Sequence, residues 1–124
     1  MRIYHKITAR PILTIDEDCL CGVDLSNAVL NEGDLYEKDL TDANLTGASL
    51  RYANLCRANL TGVNLTNADL TGANLQEANL DGANLTGATL TGAYLEGAKG
   101  INLSAITKNP LKLPGWATLT GVKK

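Results

Sequence analysis

The sequence is poor in the residues that usually carry chemistry. It has no phenylalanine, one methionine, one tryptophan and one histidine in 124 residues. Without Phe, the core must be built from Leu and Ala, which makes it narrow and uniform and suggests no internal cavity for a ligand. The single histidine, His5, has no nucleophile or carboxylate partner placed beside it by any local pattern. No nucleophile–base pair, carboxylate dyad or phosphate loop is visible elsewhere, so the chain reads as non-catalytic and without a cofactor. Cys19, Cys21 and Cys56 make an odd set with no zinc spacing, and Cys19 and Cys21 are awkwardly close for a mutual disulfide. They read as reduced thiols at small surface positions, with no metal site. No apolar run approaches the ~20 residues of a membrane span, and no signal-peptide segment is visible. The expectation is a soluble, cytoplasmic protein that does not meet a membrane.

Acidic residues are missing from both ends. All thirteen lie between Asp16 and Glu96, nine of them between Asp16 and Asp42. Residues 1–14 carry only Arg2, Lys6 and Arg10, and residues 101–124 only Lys108, Lys112, Lys123 and Lys124. The body between holds four basic residues, Lys38, Arg51, Arg57 and Lys99, for a net charge of −9. Basic termini on an acidic body are a poor nucleic-acid binder, because the body repels phosphate.

What the chain has in abundance is period. From Leu20 to Leu95 every fifth residue is leucine, sixteen in succession. Alanine stands two places before most of them, as at Ala43, Ala48, Ala53, Ala58 and Ala68, with a small polar residue between. Five residues advance an α-helix by ~500°, so these leucines would scatter round it, and a plain strand needs period two. The spacing alternates instead, two from Ala to Leu and three from Leu to the next Ala. Two residues apart on an extended segment point the same way, with the residue between pointing out. The third step must be absorbed by a corner, at pairs such as Thr46-Gly47, Thr61-Gly62, Thr66-Asn67 and Thr71-Gly72. Gly or Asn in the second place suits a corner that needs φ > 0. Corners turning one way coil the chain around Leu and Ala, with coils bonded edge to edge ~4.8 Å apart, and a right-handed coil is expected.

Segments such as Ala43-Asn44-Leu45-Thr46-Gly47 and Ala73-Asn74-Leu75-Gln76-Glu77 resemble the A(D/N)LXX unit of the pentapeptide repeat family. The resemblance implies an all-β fold, a right-handed quadrilateral parallel β-helix with four repeats per coil. The period alone does not choose four sides over three. The expected organisation is an N-terminal cap at 1–14, a β-helix of about four to five coils at 15–99, and a C-terminal cap at 100–124. Leu13 to Glu17 has the phase of a degenerate first repeat. With four repeats per coil, Asp24, Asn44, Asn64 and Asn84 stack in one column, Asp39, Asn59 and Asn79 in another. Asn ladders along these columns are expected. Glu37, Arg57 and Glu77 would stack with alternating sign.

Function must be sought in the exceptions. Lys38 stands at an inward place, which leaves a bulge, a snorkelling side chain, or a pair with Glu37, Asp39 or Asp18. Tyr36, Arg51, Tyr52, Arg57, Gln76 and Tyr94 are the bulky surface residues; Arg51, Tyr52 and Arg57, read as lying around one corner, form with Tyr36 the candidate protein-interaction patch. Past Lys99 the phase breaks, and Leu111, Leu113, Trp116 and Leu119 supply either a cap or an end-to-end homodimer contact, which the resemblance allows. The expected function is a rigid binding or scaffold module for another protein. The alternative implied by the resemblance is a DNA mimic that binds a type II topoisomerase such as DNA gyrase.

Overall fold

In a computed structural model of the chain, the described residues are 2–5, 11–14 and 19–101, with side chains at Ile3 and 19–101. Residues 19–101 wind into a four-sided stack. Each side is a short extended piece of three residues, and each corner is a two-residue turn. Every parallel bridge joins residues twenty apart, from Asp24↔Asn44 to Asn79↔Lys99. Twenty residues are four five-residue repeats, so the number of sides follows from the bridges themselves.

The corners explain the period. At each one, the N–H of the inward residue after the turn donates to the carbonyl of the leucine before it, as Ala28 N to Leu25 O at 3.0 Å and Ala73 N to Leu70 O at 3.0 Å. The second corner residue has φ between 57° and 74° at all sixteen corners from Gly22 to Gly97. Eight of these are glycine; the others include Glu32, Glu37, Tyr52, Arg57 and Glu77, bulkier than the Gly or Asn expected there. Each coil bonds to the next through the leucine and second-corner N–H groups, as Leu45 N to Asn64 O at 2.7 Å and Gly47 N to Thr66 O at 2.8 Å.

Inside, all sixteen leucines from Leu20 to Leu95 are buried, none more than 6% exposed, and the alanines lie between them. Burying a leucine is worth ~1.5–3 kcal/mol, so the column holds the coils together. Among the described residues no polar or charged side chain is buried. Four faces result, named here by their outward middle residues. Face 1 carries Asp24, Asn44, Asn64 and Asn84; face 2 carries Val29, Ser49, Asp69 and Thr89; face 3 carries Asp34, Asn54, Asn74 and Tyr94; face 4 carries Asp39, Asn59, Asn79 and Lys99.

The N-terminal end is built differently. Strand β1 (Arg2–His5) pairs antiparallel with β2 (Pro11–Thr14) on one side and with β3 (Gly33–Asp34) on the other. Leu13, in the stretch expected to open a degenerate repeat, lies opposite Ile3 in that antiparallel pair. Ile3 is fully buried and joins the leucine column. An exposed first coil would present unpaired strand edge and apolar core; β1 occupies that edge along face 3.

Lys38 keeps the repeat geometry. Its N–H donates to Leu35 O at 3.0 Å and its carbonyl accepts from Asn59 N at 2.9 Å, so there is no bulge. The side chain is half-buried, and among the described residues no carboxylate pairs with it.

The stack corrects the reading of Cys19 and Cys21 as separate reduced thiols. They form a disulfide, with Cα atoms 5.4 Å apart. Leu20 between them points inward, so both neighbours project from the same outer side and their sulfurs meet. Cys56 is free and half-buried.

Candidate protein-interaction surface

The polar residue between Ala and Leu serves mainly its own corner. Its side-chain oxygen accepts the N–H two residues on, as Asn44 Oδ1 from Thr46 N at 3.1 Å and Asp69 Oδ1 from Thr71 N at 3.0 Å. Where threonine opens the corner, its hydroxyl donates to the same oxygen, as Thr46 to Asn44 at 2.6 Å. This Asx arrangement restrains the turn locally. The expected ladder along the columns is a lesser feature, seen at Asn44 Nδ2 to Asp24 Oδ1 at 3.3 Å and Asn54 Nδ2 to Asp34 Oδ1 at 3.4 Å. Hydrogen bonding by Ser26 and Thr41, through hydroxyl and N–H, holds the Asp24 and Asp39 carboxyls below the ordinary range. Burial pushes Asp69 up, but the Thr71 hydroxyl and N–H and the Arg51 guanidinium outweigh it, so that carboxyl also sits low.

Ser49 breaks the pattern, and the break places Arg51. With serine in the middle position, the Arg51 N–H is accepted by Asn31 Oδ1 of the preceding coil at 2.9 Å. The Arg51 guanidinium then bridges to Asp69 on face 2 at 3.2 Å and lies 6.0 Å from the Tyr52 ring centre. On the next corner Arg57 sits between Glu37 at 3.8 Å and Glu77 at 3.6 Å, the alternating column expected from the sequence. Its Nη1 donates to the Tyr36 hydroxyl at 3.3 Å; that bond and the neighbouring charges raise the Arg57 pKa. Cys56 beside it is pushed up, first by burial and then by Glu77.

These four residues therefore do not share one corner. Arg51 and Tyr52 stand on the corner between faces 2 and 3, Tyr36 and Arg57 on the corner between faces 3 and 4. Face 3 lies between the two pairs. It is also extended by β1 and β2, so it runs through six rungs, β2, β1, then Asp34, Asn54, Asn74 and Tyr94. At ~4.8 Å per rung this is about 24 Å of continuous sheet. Tyr36, Tyr52 and Tyr94, each more than 40% exposed, all lie on face 3 or at its borders. The sequence marks Tyr94 as a bulky surface residue but leaves it out of the patch, because it stands 42 residues from Tyr52; only the twenty-residue stacking brings them to one side.

The acids gather on the first coil. Asp24 stands on face 1, and Glu32, Asp34, Glu37 and Asp39 run from the corner between faces 2 and 3 round to face 4, with Val29 on face 2 of the same coil. Among the described residues no three His, Cys, Asp or Glu side chains gather as a metal site would require. Leu111, Leu113, Trp116 and Leu119, the candidate cap or dimer contacts, lie outside the described residues.

The geometry agrees with comparisons to known proteins. A family model described as pentapeptide repeats matches residues 39–76 and 64–99, in eight copies. A pentapeptide repeat protein of the Arabidopsis thaliana thylakoid lumen is 30% identical, with a TM-score of 0.63, over 83% of this chain and 62% of its own. Rfr23, from the cyanobacterium Cyanothece 51142, is 39% identical over 73% of this chain and 52% of its own, with a TM-score of 0.45. A third, from Nostoc PCC 7120, is 32% identical over 83% of this chain and 81% of its own, with a TM-score of 0.35. The chain thus spans about half to two-thirds of the length of the first two. A search of curated proteins returns no match. With the repeat, the four-sided stack and these relatives in agreement, the chain belongs to the pentapeptide repeat family and folds as its right-handed quadrilateral β-helix.

Proposed function

We propose that this chain is a non-catalytic, rigid binding module that offers face 3 and its two corners to a protein partner. The observation that carries this reading is the gathering of Tyr36, Tyr52 and Tyr94 along the one face that β1 and β2 extend. Tyr and Arg are favoured at protein interfaces, where they bring large contact area and a polar tip. The Asn and Asp of faces 1, 3 and 4 are alike occupied with their own corners, so it is the tyrosines that set face 3 apart. A rigid face loses little freedom on binding, which favours affinity from modest contact.

The test is co-purification of partners with the wild type and with a triple variant, Arg51→Ala, Tyr52→Ser and Arg57→Ala. Partner recovery is expected to fall while the far-ultraviolet spectrum is kept; undiminished recovery sinks the reading.

Duplex mimicry toward a type II topoisomerase such as DNA gyrase is the alternative. A duplex mimic needs carboxylates spread along its length. Five acids gathered on one coil support the binding-module reading over it. Excess protein at low salt is accordingly expected to leave gyrase supercoiling unchanged, and inhibition there would reverse the preference.

A further inference from the structure

The corner between faces 4 and 1 is capped alike in the later coils and differently in the first. Thr41 N donates to Asp39 Oδ1 at 3.0 Å, Thr61 N to Asn59 Oδ1 at 3.1 Å and Asp81 N to Asn79 Oδ1 at 3.0 Å. The Thr41 and Thr61 hydroxyls donate to those same oxygens. Twenty residues before Asp39 and Thr41 stand Cys19 and Cys21. Cys19 Sγ accepts the Cys21 N–H at 3.2 Å, in the place the Asx oxygen holds one coil on. The Cys19–Cys21 bond replaces the hydroxyl-to-oxygen hydrogen bond of the threonine corners. The two sulfurs are thus brought together by the cap geometry of the repeat.

The backbone holds this corner whether or not the sulfurs are joined. Leu20 N donates to Asp39 O at 3.1 Å, Gly22 N to Thr41 O at 2.8 Å and Val23 N to Leu20 O at 3.3 Å. The same three bonds recur at Leu40, Asp42 and Ala43, where the sequence has no cysteine. A bond across one intervening residue closes a very short loop and removes little entropy from the unfolded chain. Both cysteines are half-buried, which leaves them within reach of an external thiol. A bond that is locally closed, accessible and backed by an intact backbone corner is suited to opening and closing in the folded chain.

The two sulfurs differ in their neighbours. The Cys21 N–H beside Cys19 Sγ steadies the negative charge that a departing sulfur carries. Cys21 Sγ faces the Asp39 carbonyl oxygen at 3.8 Å, an acceptor that suits a thiol and opposes a thiolate. Cys19 is therefore the leaving sulfur and Cys21 the one attacked.

We propose that Cys19–Cys21 is a thiol–disulfide exchange site whose reaction partner is a dithiol. A thiolate of the dithiol attacks Cys21 Sγ, and the electron pair of the Cys19–Cys21 bond goes to Cys19. The dithiol's second thiolate attacks its own sulfur in this mixed disulfide, and Cys21 leaves with the electron pair of that bond. Two electrons pass to the cysteines, the dithiol becomes a disulfide, and its two protons end on Cys19 and Cys21. Exchange with an external disulfide runs the reaction back. The corner borders faces 4 and 1, so this activity stands apart from face 3.

The experiment uses the full oxidised chain without denaturant. Dithiothreitol is the probe, and N-ethylmaleimide with mass spectrometry counts the thiols. Cys19 and Cys21 are expected to become labelled while the far-ultraviolet spectrum is kept, and to lose that labelling after glutathione disulfide is added. With glutathione as the thiol and an early acid quench, peptide fragmentation is expected to find about tenfold more glutathione on Cys21 than on Cys19. The double variant Cys19→Asn, Cys21→Thr installs the cap of Asn59 and Thr61, and is expected to melt within about 10 °C of the oxidised chain. Labelling that requires denaturant, loss of the spectrum on reduction, or a larger drop in the double variant would each make the bond a structural staple and overturn the proposal. Glutathione found equally on both cysteines, or mainly on Cys19, overturns the assigned direction of attack.

Discussion

Gly72 answers to two demands at once. Its φ of 67° favours glycine, and the Tyr52 ring occupies the space a Cβ would need. The same arrangement recurs where Asn27 folds over Gly47, Asp42 over Gly62 and Asn67 over Gly87. Gly72→Ala is expected to cost about 1–3 kcal/mol from backbone strain and crowding. Tyr52→Gly removes the crowding and leaves only the strain at position 72, so Gly72→Ala should cost less in the Tyr52→Gly background than in the wild type. Denaturant unfolding of the four proteins in the cycle checks this; equal losses in both backgrounds would show that the ring is not the obstacle. None of this could be read from the residues near Gly72. The glycine is required by a tyrosine twenty places earlier, and the register that links them is a property of the stack.

At the scale of one side and its corner, the working unit is an outward Asn or Asp that caps the turn after it. Asp39 accepts the Thr41 N–H at 3.0 Å together with the Thr41 hydroxyl. Those bonds favour the ionised carboxyl and lower its pKa below the unfolded value. The folded chain therefore binds fewer protons than the unfolded chain as pH falls past about 4. Stability from this group is fully present above that pH and is lost as pH drops through the lowered folded pKa. Asp24 and Asp69 act in the same direction. Asp39→Asn keeps an acceptor oxygen but cannot titrate. Its unfolding midpoint is expected to lie below wild type near pH 7, with the gap closing between about pH 4 and pH 2, as followed by thermal melts. Parallel acid curves would mean the capping bonds do not set the pKa. The repeat unit itself was legible, because alternate in-out-in placement leaves Leu, Ala and Asn no other role. The Asx cap was not, since an Asn between two apolar residues looks the same whether it bonds forward to its corner or across to the next coil. The Cys19–Cys21 bond was missed for a related reason, with two residues judged by their nearness in chain and not by the shared side that Leu20 gives them.

For the whole molecule, the leucine column joins coils that touch only their neighbours, so stability is a sum of like interfaces. Leu60 is fully buried at the end of the second coil, with further coils after it. Leu60→Ala should cost about 2–5 kcal/mol and lower the single cooperative melt of the stack. A melt that splits into two steps would show instead that the coils on either side of Leu60 fold independently. Four sides, one core and the course of the chain were all accessible from the period once the resemblance supplied the number of sides. The antiparallel seat of Arg2–His5 on Gly33 and Asp34 was not, because no repeat marks it and its partner lies 28 or more residues away.

The bridges fix a residue's face by its place within a count of twenty. The molecule can therefore be edited in two ways that its core cannot distinguish. Removing twenty residues shortens the rod and leaves every compass bearing unchanged. Removing five leaves the leucine column equally well filled but turns everything downstream by a quarter revolution. Losing Ala73–Glu77 would bring Tyr94 from face 3 to face 2, out of alignment with β1, Asp34 and Asn54. Small insertions and deletions in such a chain act as rotations of its recognition pattern, preserving the fold while exchanging what a partner meets.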